Sequence, residues 1–164
     1  MAYNAQAKED KEMLTERDFQ LIIQQCENQH ATTPRDIAGF TAAYYATKLN
    51  VNVAEIVPSL SFFLACAAFI DIRNKNGFRL VPVVVGAERR ACPRPDDLPR
   101  LMDAWYEAFR EKRLNPEETY KEFELIHPMI DGNGRLGHLI WAVQTVRFGG
   151  EWPTTLPPDV FGEG

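Results

Sequence analysis

The stretch His127-Pro128-Met129-Ile130-Asp131-Gly132-Asn133-Gly134-Arg135 constrains this chain more than any other. Proline disfavours the helical region for the residue before it, so a helix that reaches Ile126 must stop near His127. Gly132, Asn133 and Gly134 tolerate the positive φ angles of a tight turn. Beyond them Leu136, Leu139, Ile140, Val143 and Val146 recur close to a helical period. The segment reads as helix, short loop, helix. The second helix runs from about Asn133 to Phe148 and stops at Gly149-Gly150.

A loop that leads glycine-flanked N–H groups into a helix N-terminus suits an anion. Gly132, Asn133 and Gly134 would offer backbone donors to a phosphate. Arg135 sits in a first helical turn, where a cation is mildly unfavourable unless an anion is bound. His127 is either a general base, since imidazole titrates near neutrality, or a helix-ending side chain bonded to a carbonyl. Asp131 is either a Mg²⁺ ligand or a turn residue bonded to its own backbone.

The rest of the chain supplies helices around this unit. Thr15 caps a helix with Phe19, Ile22, Ile23 and Cys26 on one face. Thr33-Pro34 opens a second, with Ile37, Phe40, Tyr44 and Thr47 inward. Ser59 to Ile72 is apolar almost all round, the pattern of a helix buried on several sides. After the turn cluster Asn74-Lys75-Asn76-Gly77, the valine-rich run Phe78 to Gly86 is strand-like. Pro82 confines that run to an edge or to one arm of a hairpin, with Glu88 to Arg90 at or after its tip. Asp97 is expected to cap the next helix, with Leu101, Met102, Trp105 and Phe109 inward. Asn115-Pro116-Glu117-Glu118 starts the helix that delivers His127, with Glu118 at the capping-box position. The expected architecture is mainly α with one small β-hairpin: a polar tail over residues 1–14, one domain over 15–150, and an irregular tail over 151–164.

Composition narrows the function classes. The net charge of −5 argues against broad electrostatic binding to nucleic acid, and against a helix-turn-helix reading of Thr33 to Ser61. No Gly-Lys-Ser/Thr follows a glycine cluster, so there is no P-loop. No apolar run reaches membrane-spanning length. The polar N-terminus does not read as a signal peptide. Cys26, Cys66 and Cys92 are odd in number and share no metal-ligand spacing, which suits reduced thiols in a cytoplasmic protein.

The His127 to Arg135 stretch resembles the signature of the Fic (Fido) proteins: a His-Pro pair, an aspartate, then Gly-Asn-Gly-Arg. That pattern usually ends with a second arginine three residues later, and His138 stands there in this chain. A weaker likeness extends from about Gly77 to Gly149. The resemblance implies a Fic-like helical bundle. It also implies transfer of a nucleoside monophosphate, usually AMP from ATP, to a Ser, Thr or Tyr hydroxyl of a protein. His127 would be the base and Asp131 the Mg²⁺ ligand. Gly132, Asn133 and Gly134 would form the anion hole, and Arg135 would contact the polyphosphate. His138 would either face the outer phosphates in place of the arginine, with ATP or another nucleotide as cosubstrate, or pack in the core beside Trp141. Leu80, Val81, Pro82 and Val83 would lie in a flap that pairs with the backbone of the target protein, the alternative being a hairpin that merely covers the core. Some family members are held inactive by a separate antitoxin or by a helix whose glutamate engages the second arginine. The nearest segment here is Ile23-Gln24-Gln25-Cys26-Glu27-Asn28, with Glu27 at the glutamate position, and self-inhibition is not expected because its partner arginine is missing. An enzyme of the same fold using another phosphate-containing donor and a non-catalytic binding module are the alternatives.

Overall fold

A computed structural model describes residues 14–161. Most of the N-terminal segment read as a polar tail, together with the last three residues, lies outside the described residues. The elements in order are α1 (Glu16–Asn28), α2 (Pro34–Asn52), α3 (Leu60–Ile70), a 3₁₀ turn (Ile72–Asn76), β1 (Val84–Val85), β2 (Arg90–Ala91), a short 3₁₀ turn (Pro95–Asp97), α4 (Leu98–Arg110), α5 (Pro116–Ile126) and α6 (Asn133–Arg147). The fold is mainly helical with one two-stranded antiparallel sheet. No helix among the described residues is long and apolar enough to cross a membrane.

The helix starts follow local chemistry. Thr15, Thr33 and Asn115 each close a reciprocal capping box, with Asp18, Asp36 and Glu118 at the third helical position. Pro34 and Pro116 occupy the first turns of α2 and α5, where their missing N–H groups leave no bond unmade. Asp97 departs from expectation: its side chain makes no capping bond to α4.

α6 is the central element and packs against α5, α3, α2 and α1. It is buried from Asn133 through Ile140 without a break, so its polar residues Asn133, Arg135 and His138 are interior residues as much as Leu136 and Leu139 are. The apolar periodicity marks only part of this surface, because a helix enclosed by neighbours on most sides has no solvent face to pattern.

Two helices present faces other than those expected. In α1 the buried set is Asp18, Leu21, Ile22, Gln25 and Cys26, while Phe19 and Ile23 are exposed. A buried polar network pulls the helix round. Lys48 Nζ lies 2.6 Å from Asp18 Oδ2, the Tyr44 hydroxyl donates to Asp18 Oδ1 at 2.6 Å, and Trp152 Nε1 donates to the Tyr44 oxygen at 2.8 Å. This network also anchors the segment after α6, which carries no helix or strand among the described residues yet lays Trp152 into the core. In α3, Phe63, Cys66, Ala67 and Ile70 face inward and Phe69 faces solvent, so the helix is one-sided despite its apolar composition.

The hairpin sits later than the strand-like run suggests. Val84 pairs with Ala91 and Val85 with Arg90, and the turn spans Gly86 to Arg89. Leu80, Val81, Pro82 and Val83 precede the paired residues as irregular backbone, with Leu80 88% exposed. Pro82 has no N–H to give a ladder, and Arg79 holds the segment to the loop after α5 instead.

Candidate functional site

α5 ends at Ile126 and His127 caps it in the left-handed region, φ 51° and ψ 60°. A histidine with positive φ is uncommon and must be held there by its surroundings. The His127 N–H donates to Phe123 O at 2.9 Å, and its carbonyl accepts from Arg79 Nε at 2.7 Å. Each following residue of the loop is then tied down. The Arg79 N–H donates to Pro128 O at 2.9 Å. The Asn133 side chain bonds both the N–H and the carbonyl of Met129, at 2.9 and 3.0 Å. Asn74, buried in the 3₁₀ turn, accepts from Ile130 N–H at 3.2 Å and donates to Asp131 O at 2.9 Å. The Asn133 side chain is therefore committed to the loop, which leaves its backbone alone for an anion.

Gly132 and Gly134 are required for different reasons. Gly132 caps α6 at φ 80°, where an L side chain is strained, and a Cβ there would lie 2.6 Å from Ile70 Cγ2. Gly134 is an ordinary helical residue, but a Cβ would fall 1.7 Å from Gln29 Nε2. Gln29 follows the end of α1 and reaches over the start of α6, where its Oε1 accepts from Arg135 Nε at 2.8 Å. Arg135 is 1% exposed, and its Nη1 is buried with no hydrogen-bond partner. A buried guanidinium N–H left unpaired costs of the order of 1–3 kcal/mol. Asp131 is the nearest carboxylate, at 3.8 Å from Arg135 Nη2.

Asp131 stands at the open side of the loop, its side chain 53% exposed. Its Oδ1 accepts from Gly132 N–H at 2.8 Å and its Oδ2 from Arg73 Nη2 at 3.1 Å. Arg73 is shared with Asp71 at 2.7 Å. An exposed pair of this kind is worth little and yields readily to a stronger ligand.

His127 is half-buried and lines a cleft of about 130 Å³ with Val85, Gly86, Arg90, Glu124 and Phe161. Burial, with Arg79 and Arg90 nearby, lowers its pKa to about 4, against a smaller opposing pull from Asp131. The ring is neutral at physiological pH, the form that accepts a proton. Glu124 lies one turn earlier on α5, and its Oε1 is buried without a partner. A Cβ at residue 137 would lie 2.6 Å from that oxygen, so Gly137 makes room for it. Burial pushes the Glu124 carboxyl up to about 7, and Arg90 opposes the shift. A carboxyl raised above its usual value of 4.5 supports the fold below that pH and loses the support as pH rises through about 7. Between those limits the wild-type protein should lose about 3 kcal/mol relative to Glu124→Gln. Urea unfolding of both at pH 4.5 and pH 8 checks this, and parallel pH dependence would refute it.

The structure thus gathers His127, Asp131, Gly132, Asn133, Gly134 and Arg135 into one loop and helix start. His138 is apart from them. It is 1% exposed, Nδ1 lies 3.0 Å from Gln25 Oε1, and the rings of Phe40, Tyr44 and Trp141 surround it at about 6 Å. Glu27, the residue suggested for an inhibitory contact, is exposed, and Gln29 and Gln25 make the contacts from α1 instead. Sequence reasoning missed Asn74, Arg79, Glu124 and Gln29. Only Arg79 left a trace, as a charged residue set inside an apolar strand-like run.

No curated protein matches the chain. The family model described as Fic/DOC, however, matches residues 14–144, which takes in every helix from α1 to α5 and most of α6. A helix-loop-helix with this motif, at the centre of a mostly helical fold that the match spans nearly whole, means that the chain belongs to the Fic/DOC family.

Proposed function

We propose that the protein transfers a nucleoside monophosphate, AMP in the first instance, from a nucleotide to a Ser, Thr or Tyr hydroxyl of a protein. The observation that carries this reading is Arg135. It is a fully buried guanidinium with one unpaired nitrogen, set in the first turn of a fifteen-residue helix behind a positive-φ glycine. A phosphate oxygen would satisfy that nitrogen and meet the favourable end of the helix dipole together. Gln29 occupies this ground and would have to swing aside.

Asp131 fits Mg²⁺. The described residues contain no cluster of three or more metal-ligating side chains, and Mg²⁺ is commonly held by one or two carboxylates with substrate phosphates and water completing its shell. Bound there, the ion would neutralise charge on the nucleotide phosphates. In the transfer, the acceptor oxygen bonds to the α-phosphorus as its O–H proton passes to neutral His127, and the bond to the departing phosphates breaks. His138 takes no part in this grip. Because it lies in the core where the family pattern has a second arginine, a second reading is an enzyme of the same fold that uses a different phosphate-containing donor and transfers a different part of it.

Calorimetry with Mg²⁺ and a panel of nucleoside tri- and diphosphates tests the site. Binding is expected, with Asp131→Ala weakening its Mg²⁺-dependent part most. No binding at millimolar nucleotide would end the anion-site reading. Mass spectrometry of a protein lysate incubated with the enzyme, Mg²⁺ and each nucleotide tests the reaction. A nucleoside monophosphate adduct supports transfer, an adduct of another mass the second reading, and no adduct a binding module.

A further inference from the structure

Arg79 is 2% exposed, and among the described residues its four side-chain hydrogen bonds all end on main-chain carbonyls. Nε donates to His127 O at 2.7 Å, Nη1 to Val81 O at 2.9 Å, and Nη2 to Pro93 O at 2.7 Å and Ile126 O at 3.3 Å. With its backbone N–H on Pro128 O, one residue joins three segments: the end of α5 with its left-handed histidine, the chain leading into β1, and the chain leaving β2. A buried charge bonded only to carbonyls is costly where stability alone is concerned, since a neutral donor or an apolar side chain would avoid desolvating it. A planar guanidinium is suited to the geometry because it alone can reach so many divergent acceptors at fixed angles.

We propose that Arg79 is the positioning residue for His127, setting the histidine's backbone against the base of the hairpin and holding a fixed cation at its main-chain carbonyl. Two consequences follow from the two parts of the side chain. The donor fork fixes geometry, so its loss lets His127 leave the left-handed region and drift from an acceptor hydroxyl. The charge opposes protonation of the imidazole. Three charged groups bear on that ring, Arg79 in the segment before the hairpin, Arg90 from β2 and Asp131 from the loop, and Glu124 from α5 lines the same cleft. Arg79 acts more strongly on it than Arg90. The geometric part rests on the transferase reading, and the electrostatic part does not.

Arg79→Lys keeps the charge and loses most of the fork, whereas Arg79→Met loses both. Transfer to protein hydroxyls is expected to fall about 10²-fold in both, as for a base misplaced by an ångström, with nucleotide affinity retained. NMR titration of His127 should separate them: the midpoint rises toward the usual value in Arg79→Met and stays low in Arg79→Lys. In the wild-type protein the Arg79 Nε–H should resist exchange with solvent, a measurement that needs no variant to fold. An unmoved midpoint in folded Arg79→Met, or a freely exchanging Nε–H, would overturn the proposal. If the wild-type protein transfers nothing, the transferase reading falls, and the titration and exchange still decide the role of Arg79.

Discussion

Replacing His127 with alanine is expected to lower transfer by about 10²–10⁴-fold, the usual worth of a positioned base. Nucleotide affinity should persist, because His127 lines the cleft beside the hairpin whereas Arg135 and Asp131 lie across the loop at the start of α6. The pH profile adds a sign. A base whose pKa is held down to about 4 by burial and by Arg79 and Arg90 stays neutral through the physiological range. The acid limb that belongs to His127 should therefore lie near pH 4 and be absent from the residual activity of His127→Ala. Initial rates against pH, with calorimetry of nucleotide binding on both proteins, measure this. A folded His127→Ala protein with unchanged rate would remove the histidine from the chemistry.

His138→Arg should lower stability by about 3–5 kcal/mol, the cost of leaving a charge in the interior without a partner. The family pattern suggests the opposite outcome, a restored phosphate contact. The structure decides between them by burial: three aromatic rings and Gln25 enclose the side chain, and the carboxylate that bears on it, Asp18, is already paired with Lys48. Burial also lowers the His138 pKa to about 4. A histidine depressed in the fold contributes stability that is present above about pH 6.5 and lost as pH falls through about 4. For His138 that loss amounts to about 3 kcal/mol, and His138→Asn should flatten the corresponding part of the acid-unfolding curve. Urea unfolding between pH 4 and 7 reads both effects. A stable His138→Arg protein that binds triphosphate more tightly would show that the side chain reaches the nucleotide.

Much of the site was legible because its signals are local. Pro128, the two glycines and the apolar repeat after Arg135 define a helix, a tight loop and a second helix through backbone preference alone, and the structure has that unit with its boundaries nearly in place. The caps at Thr15 and Thr33, the capping box at Asn115 and the proline starts of α2 and α5 are local in the same way. The hairpin was legible as a kind of element but not in position. Valine content marks a strand-like run, whereas pairing depends on which carbonyls Arg79 has already taken.

What the sequence determined by itself is the loop and the helices that flank it, since each rests on contacts within a few residues. What only the tertiary structure decided is what surrounds them. Gln29 lies 106 positions from Arg135, Gln25 lies 113 from His138, and Arg79 lies 48 from His127. No periodicity couples such positions. The same separation left His138 open between the phosphate side and the core beside Trp141, and it is α1 and α2, closing over that face of α6, that make it core. Whether a polar residue on a central helix meets ligand or protein is set by which helices pack over it, and that depends on contacts distant in the chain.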